Sequence, residues 1–248
     1  MPSRNAVGYI SKSIESVQQQ SHCDWELLVV DDGSTDGTIE KIQEYQAKDP
    51  RIRLIPLPVS QGVGISRNIG IKSAVGAYIA FLDADDLWMP QKLEKQLVFM
   101  QQNQLAVSYT SYRIIDQEGQ EEDFYISSRE QLNFNRLLRG FYIGNLTGIY
   151  HASSIGKIYG APIRRLQSWS LWLDAVKRAG KAKGMPEPLA IYRVRAADDS
   201  STLRETLPYI YSIYRKTLGF NFLKSCWYCL LFMIEHFWVA PQYRRPRK

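Results

Sequence analysis

The chain has 248 residues, of which 45% are apolar and 23% charged, and its net charge is +6. This suits one large globular domain, or one domain with an appendage. Four of the positive charges are Arg244, Arg245, Arg247 and Lys248. The excess is therefore local to the C-terminus and argues against a nucleic-acid-binding body.

The elements alternate along the first hundred residues. Residues 1–5 are a short polar start, and 7–20 read as an amphipathic helix with Ile10, Ile14 and Val17 at helical spacing. Residues 25–30 form a strand running into Asp31-Asp32-Gly33-Ser34, and 38–45 a helix that Ser34, Thr35 and Asp36 are available to cap. A strand over 52–57 precedes a helix over 63–74, which Gly76 is placed to stop. Residues 78–82 are a further strand, and Met89-Pro90 opens a helix with Leu93, Leu97 and Met100 on one face. The α-β-α-β-α-β-α order predicts an α/β fold with a mostly parallel sheet and helices on both faces. Such a unit normally begins with a strand, and that strand lies centrally. Losing its apolar side chains, at about 1.5–3 kcal/mol each, would rival a domain's whole net stability. The sequence therefore predicts a chain truncated at its N-terminus, or a start codon placed late, which the codons upstream of Met1 would test.

After residue 106 the texture changes. A strand is expected over 107–115, a turn at Glu118-Gly119, and a mixed, aromatic-rich region over 123–160. Residues 168–179 read as a helix with Trp169, Leu171, Trp172 and Val176 among its apolar positions; 188–194 read as a strand and 209–218 as a helix. Residues 222–240 are the most apolar, but Lys224, Glu235 and His236 interrupt them. A spanning helix wants about 20 apolar residues. The alternatives here are an interfacial helix with aromatic anchors and a basic tail, or a helix docked on the domain. The expected organisation is a domain over 1–205, with halves 1–105 and 106–205, and a helical appendage over 206–248. Cys226 and Cys229 lack the further ligands of a zinc site and the preceding strand of a redox motif, and so read as two buried structural thiols. With no basic region leading into an apolar core at the N-terminus, a cytosolic, reducing compartment is expected. His22, His151 and His236 lie in no constellation.

The chemistry concentrates where the apolar run Tyr78-Ile79-Ala80-Phe81-Leu82 ends in Asp83-Ala84-Asp85-Asp86. Three carboxylates within four residues repel one another unless a cation lies among them. Mg²⁺ or Mn²⁺ takes oxygen ligands, typically one or two carboxylates plus substrate phosphates. Ligands of open α/β sheets bind beyond the carboxyl ends of strands. A metal–diphosphate site follows as the reading, with a solvated acidic turn as its alternative.

These residues resemble a known family. Met1-Pro2-Ser3-Arg4-Asn5, the run from Trp25 through Asp31-Asp32-Gly33-Ser34 to Thr38, Ser66-Arg67-Asn68, and Phe81-Leu82-Asp83-Ala84-Asp85-Asp86-Leu87-Trp88 are similar to the family 2 glycosyltransferases, inverting enzymes of the GT-A fold. A weaker match continues through 163–173 and Tyr192-Arg193-Val194-Arg195. That part resembles bacterial members that build surface polysaccharides, including the teichuronic-acid type. The resemblance implies a hexosyltransferase-type enzyme moving a sugar from a nucleoside-diphosphate donor, UDP-linked, to a glycan or lipid-linked acceptor at the inner membrane face. It implies Mn²⁺ or Mg²⁺ as cofactor. It places Asp32 on the uracil ring, Asp83 and Asp85 on ribose, metal and diphosphate, and Pro2, Arg4 and Arg67 along the nucleotide pocket. Asp86, Trp169 and Trp172 fall on the acceptor side, although core packing suits the two tryptophans equally.

Two positions depart from the family pattern. Arg4 stands where an aromatic residue usually stacks on the base; a guanidinium also stacks on a π-face. Ser168 stands where the family's catalytic base, an Asp, belongs. A serine is too weak to take the acceptor's proton unaided, and general-base catalysis is typically worth about 10²–10⁴-fold. Asp174, Asp198 and Asp199 are the substitutes within reach in sequence. A donor-binding but catalytically weak relative, with a regulatory or assembly role, is the second reading. A nucleotidyltransferase is the third, opposed by the lack of a glycine-rich basic loop.

Overall fold

The computed structural model describes residues 1–163, 165–194 and 203–246. In the first half β1 (Pro2–Ser3), α1 (Ile10–Gln18), β2 (Leu27–Asp31), α2 (Thr38–Lys48), β3 (Ile52–Pro56) and α3 (Val63–Ser73) alternate. The three strands lie side by side and parallel, in the order β1-β2-β3. The residues expected as a polar start are therefore partly strand: Pro2 pairs with Val30 and Ser3 with Asp31. Two residues are too few for a periodicity to show. All five residues of β2 are buried, which explains its unbroken apolar run. Ile10, Ile14 and Val17 of α1 do share a buried face, packed with Val29, Ile42 and Ile52.

Next come β4 (Tyr78–Ala80), β5 (Leu87–Trp88), α4 (Lys92–Gln102), β6 (Val107–Ile115), β7 (Glu121–Ile126), β8 (Gln131–Asn133), α5 (Phe134–Leu137), β9 (Ile149–His151), α6 (Ala152–Ile155), α7 (Gln167–Ala179) and β10 (Lys181–Arg193). They build a second, mixed sheet with the path β11-β7-β6-β10-β5, where β11 is Arg244–Pro246. Among the described residues β6 and β10 are its parallel pair, and the other pairings are antiparallel. Within the first half the parallel arrangement thus holds for β1–β3 alone: β4, expected in the same sheet, and β5 pair antiparallel with β9 and β10 in the second sheet. β10 begins seven residues before the expected start at 188. Gly184, Pro186 and Pro188 hide its first half, because both residue types oppose regular strand, and the register shifts on either side of Pro188 absorb them.

A second core gathers around α7, where Trp169, Trp172 and Val176 meet Tyr109 and Tyr150. The same core takes in Ile210 from α8 (Leu203–Ser212), Tyr214 just beyond it, and Phe232 from α9 (Phe222–Ile234). It therefore runs across the expected boundary at residue 205. α9 turns Ser225 and Phe232 inward and leaves Phe222, Leu223, Trp227 and Leu230 exposed. The expectation of two buried thiols is corrected here: Cys226 is exposed and Cys229 half-buried, and both are free. Cys226 follows Ser225 by about 100° around the helix, which carries it off the inward face. Among the described residues no helix is long and apolar enough to cross a membrane.

Candidate active site

The acid loop leaves β4 at Phe81 and is held from three sides. Asp86 N–H donates to Asp83 O, closing a turn. Ser13 of α1 donates its hydroxyl to Ala84 O at 2.9 Å, and Ser16 Oγ accepts from Trp88 N–H at 3.2 Å. From β10, Arg193 supplies the third side. Its N–H donates to Asp86 Oδ1 at 3.0 Å and its Nε–H to Asp85 O at 3.2 Å, while Nη1 reaches Asp116 O and Gln117 O. Arg193 is 4% exposed and lies over the Tyr9 ring. The motif stretch contained Arg193, but nothing in the sequence showed that it holds the acid loop. Asp86 is itself buried. Its carboxylate faces the β10 backbone, which opposes the expected acceptor-side role and makes it an anchor of the loop. Asp83 and Asp85 remain partly accessible.

At the end of β2 the two acids divide their work. Asp31 is wholly buried and accepts from Ser3 Oγ, Ser34 N–H and Ser34 Oγ. Asp32 accepts from Ser60 Oγ at 2.7 Å, Gln61 N–H at 2.7 Å and Gly62 N–H at 3.0 Å. Burial pushes the Asp32 carboxyl up, but hydrogen bonds from Gln61, Ser60, Gly62 and Ser66 outweigh it and hold the group below its ordinary value. Both oxygens are thus engaged by the loop that leads into α3. The bonds from Ser60, Gln61 and Gly62 take three of the about four acceptor sites of a carboxylate and leave one open. Pro2 is buried within β1, and Arg4 is exposed at its end.

Arg67 of α3 joins the two halves of the site. Its Nη2 pairs with Asp83 Oδ1 at 2.9 Å and its Nη1–H donates to Ser168 Oγ at 3.3 Å. Neighbouring Asn68 exchanges two hydrogen bonds with the Gly160 backbone, tying α3 to the segment before α7. Ser168 accepts a second bond from Asn145 Nδ2 at 2.8 Å, and Asn145 Oδ1 accepts from Trp172 Nε1 at 3.2 Å. Asn145 lies in the region read only as mixed and aromatic, where no pattern marked it. The structure therefore brings Asp83, Arg67 and Ser168, widely separated in the chain, into one connected group. It removes Trp169 and Trp172 from any acceptor platform, since they are 4% and 0% exposed. Trp169 donates to Leu137 O and Trp172 packs edge-on against Phe81. Asp174 pairs with Arg178 instead of entering the site. Arg195, Asp198 and Asp199 lie outside the described residues.

Formally, Asp83, Asp85 and Asp86 oppose the guanidiniums of Arg67 and Arg193, which leaves one net negative charge. That balance repels a diphosphate and suits a divalent cation placed between them. Among the described residues no group of three or more His, Cys, Asp or Glu is placed to hold a metal. The donor set of Asp83 and Asp85 fits an ion that takes one or two carboxylates and completes its shell from phosphates and water.

A parallel β1-β2-β3 sheet whose β2 ends in acids, joined to a mixed sheet whose β4 runs into the acid loop, is the arrangement of the GT-A class of α/β enzymes. The fold agrees: Staphylococcus aureus TarS residues 1–349, solved with UDP-GlcNAc, superposes with a TM-score of 0.70 at 18% identity, over 97% of this chain and 72% of that one. The profile of Glycosyl transferase family 2 matches residues 1–157. Across 91% of this chain and 90% of the relative, 38% of residues are identical to TuaG of Bacillus subtilis, a glycosyltransferase named for teichuronic acid biosynthesis. Escherichia coli WfgD, named a UDP-Glc:alpha-D-GlcNAc-diphosphoundecaprenol beta-1,3-glucosyltransferase, is 37% identical over 71% of this chain and 68% of its own. The chain belongs to glycosyl transferase family 2.

Proposed function

We propose that the chain transfers a hexose from a UDP-sugar, with inversion, to a lipid-linked glycan acceptor in bacterial surface-polysaccharide synthesis. The observation that carries this is the Arg67 bridge from Asp83 to Ser168, because it joins the acid loop to the helix position at which the attacking acceptor hydroxyl would give up its proton. Relatives named for UDP-glucose and for teichuronic acid synthesis support the donor and the pathway class. Asp83 and Asp85 would hold Mn²⁺ or Mg²⁺. The ion would offset charge developing on the departing diphosphate. Arg67 steers the same phosphates, Pro2 and Arg4 border the nucleoside, and Asp32 offers its remaining acceptor site to the base. The exposed face of α9, with Arg244 and Arg245 beyond it, favours work against the inner face of an anionic membrane.

Ser168 favours a second reading of weak catalysis. Its oxygen accepts from both Arg67 and Asn145, so it is set to donate a proton and not to take one. UDP binding and UDP-sugar turnover with Mn²⁺ separate the readings. We expect the wild type to bind UDP, Asp85→Ala to abolish turnover, and Ser168→Asp to raise it at least about tenfold by restoring a base. A wild type whose turnover Ser168→Asp lowers removes the weak-catalyst reading, and a wild type that does not bind UDP removes both.

A further inference from the structure

A cavity of about 220 Å³ lies beneath α9, with none of the acid-loop residues in its lining and unused by the chemistry above. A water's share of liquid volume is about 30 Å³, so the space admits a group the size of a diphosphate with carbon attached. Its lining is both cationic and aromatic. Arg129 and Arg139 stand beside Phe141, Tyr142, Tyr243 and His236, and Glu235 is the sole carboxylate among the lining residues.

Glu235 is already satisfied. Arg136 and Tyr142 donate to its Oε1, and Arg129 Nη1 lies 3.5 Å away. Arg139 is left over. Among the described residues its guanidinium has no hydrogen bond or ion pair, and its Nε is buried without a partner. A buried donor left unmade costs free energy, and Arg139 is at the same time a lining residue of an open, aromatic-walled cavity, so its unpaired charge suits an anion that arrives from outside.

The surroundings say which kind of anion. The roof is the inward side of α9 and the turn after it, through Phe232 and His236. The opposite side of α9 is the exposed apolar face. On another wall Tyr112 packs edge-on against Tyr192, next to Arg193, whose N–H holds Asp86. The cavity thus sits one aromatic layer from the acid loop on one side and one helix from the outer apolar face on the other.

We propose that this cavity holds the phosphate-bearing head of a lipid-linked acceptor, with Arg139 and Arg129 on the phosphates and the apolar tail leaving along α9. The proposal rests on reading the chain as a glycosyltransferase working at a lipid surface, and it assigns the acceptor a site distinct from the donor's.

Full-length protein is titrated with farnesyl diphosphate, farnesol, inorganic diphosphate and phosphatidylglycerol vesicles, as wild type, Arg139→Gln and Arg139→Lys. Farnesyl diphosphate should bind the wild type more tightly than farnesol or diphosphate alone. Arg139→Gln should weaken it about tenfold or more, since a charge-assisted contact is lost, and Arg139→Lys should fall between. UDP affinity, measured on the same samples, should not change, which also shows that the variants fold. Equal affinity in wild type and Arg139→Gln overturns the proposal. So does displacement of farnesyl diphosphate by UDP, which would mean the donor site was filled. Inorganic diphosphate binding as tightly marks a plain anion site, and vesicle binding falling in parallel marks an ordinary phospholipid site; either result sinks it. Absence of UDP binding in the wild type would defeat the glycosyltransferase reading instead, whatever Arg139 does.

Discussion

Lys92 shows how far one side chain can depart from its composition class. It is fully buried in α4, donates to Gln96 Oε1 at 2.9 Å, and lies 4.5 Å from the centre of the Trp88 ring. Burial pulls its ammonium down to about 7 from the ordinary 10.5. The unfolded chain keeps the ordinary value, so between these two pH values it binds more protons than the folded chain. Stability therefore rises with pH across that window, by up to about 1.4 kcal/mol per unit, and the penalty is complete below it. Urea melts at pH 6.5 and 9.5 should show this rise in the wild type and its loss in Lys92→Met; parallel curves for the two proteins would contradict a neutral buried amine. The helical spacing of Leu93, Leu97 and Met100 was legible, but the buried face also takes Lys92 and Gln96 and leaves Leu97 half-buried. The reason is polar: Gln96 Nε2 donates to Ser108 Oγ of β6 and to Thr147 O of the short 3-10 turn Asn145–Thr147, both of which come later in the chain. The site shows the same division. Asp83, Arg67 and Ser168 were found from motifs, whereas Asn145 and Arg193 act through folds of the chain that no local pattern encodes.

α7 is the element on which the second half depends, and it is locked by a close approach. Gly148, just before β9, faces the Trp172 indole; a Cβ there would stand 2.2 Å from Cζ2. The Gly148 backbone is extended, with φ −82°, so the requirement is space and not conformation. Gly148→Ala should destabilise by about 1–3 kcal/mol through overpacking, read as a lower urea midpoint with an unchanged slope. Because Trp172 also donates to Asn145, the same variant should loosen the Asn145–Ser168 contact and lower turnover more than UDP affinity. An unaltered midpoint would mean that the indole has room to move. Element types were readable here because helices and buried strands repeat at 3.6 and 2 residues. The inward face of α7 was not, since tryptophans at i and i+3 suit an exposed platform and a core equally well.

Over the whole molecule the notable feature is a helix worn inside out. α9 is docked through Phe232 yet carries Trp227 at 57% exposure, and Trp238 beyond its end stands at 67%. Exposed apolar patches of this kind mark interaction surfaces, and β11 adds Arg244 and Arg245 at the sheet edge nearby. Trp227→Glu combined with Leu230→Glu should abolish sedimentation with phosphatidylglycerol vesicles. Melting should stay within about 0.5 kcal/mol of wild type, as expected for exposed positions. Unchanged sedimentation would leave the outer face without a membrane role.

Residue types, periodicity and contiguous motifs are properties of the chain alone, so the α/β class, the alternation of the first half, the acid loop and the anomaly at Ser168 are all legible in the sequence. Partners brought from far along the chain are not. The engagement of Asp32 by residues 60–62, the burial of Trp169 and Trp172, the antiparallel second sheet, and the cavity under α9 each depend on which distant surface meets which. Such choices are set by packing and hydrogen-bond satisfaction over the folded whole, where a local pattern fits two faces and long-range contacts admit one.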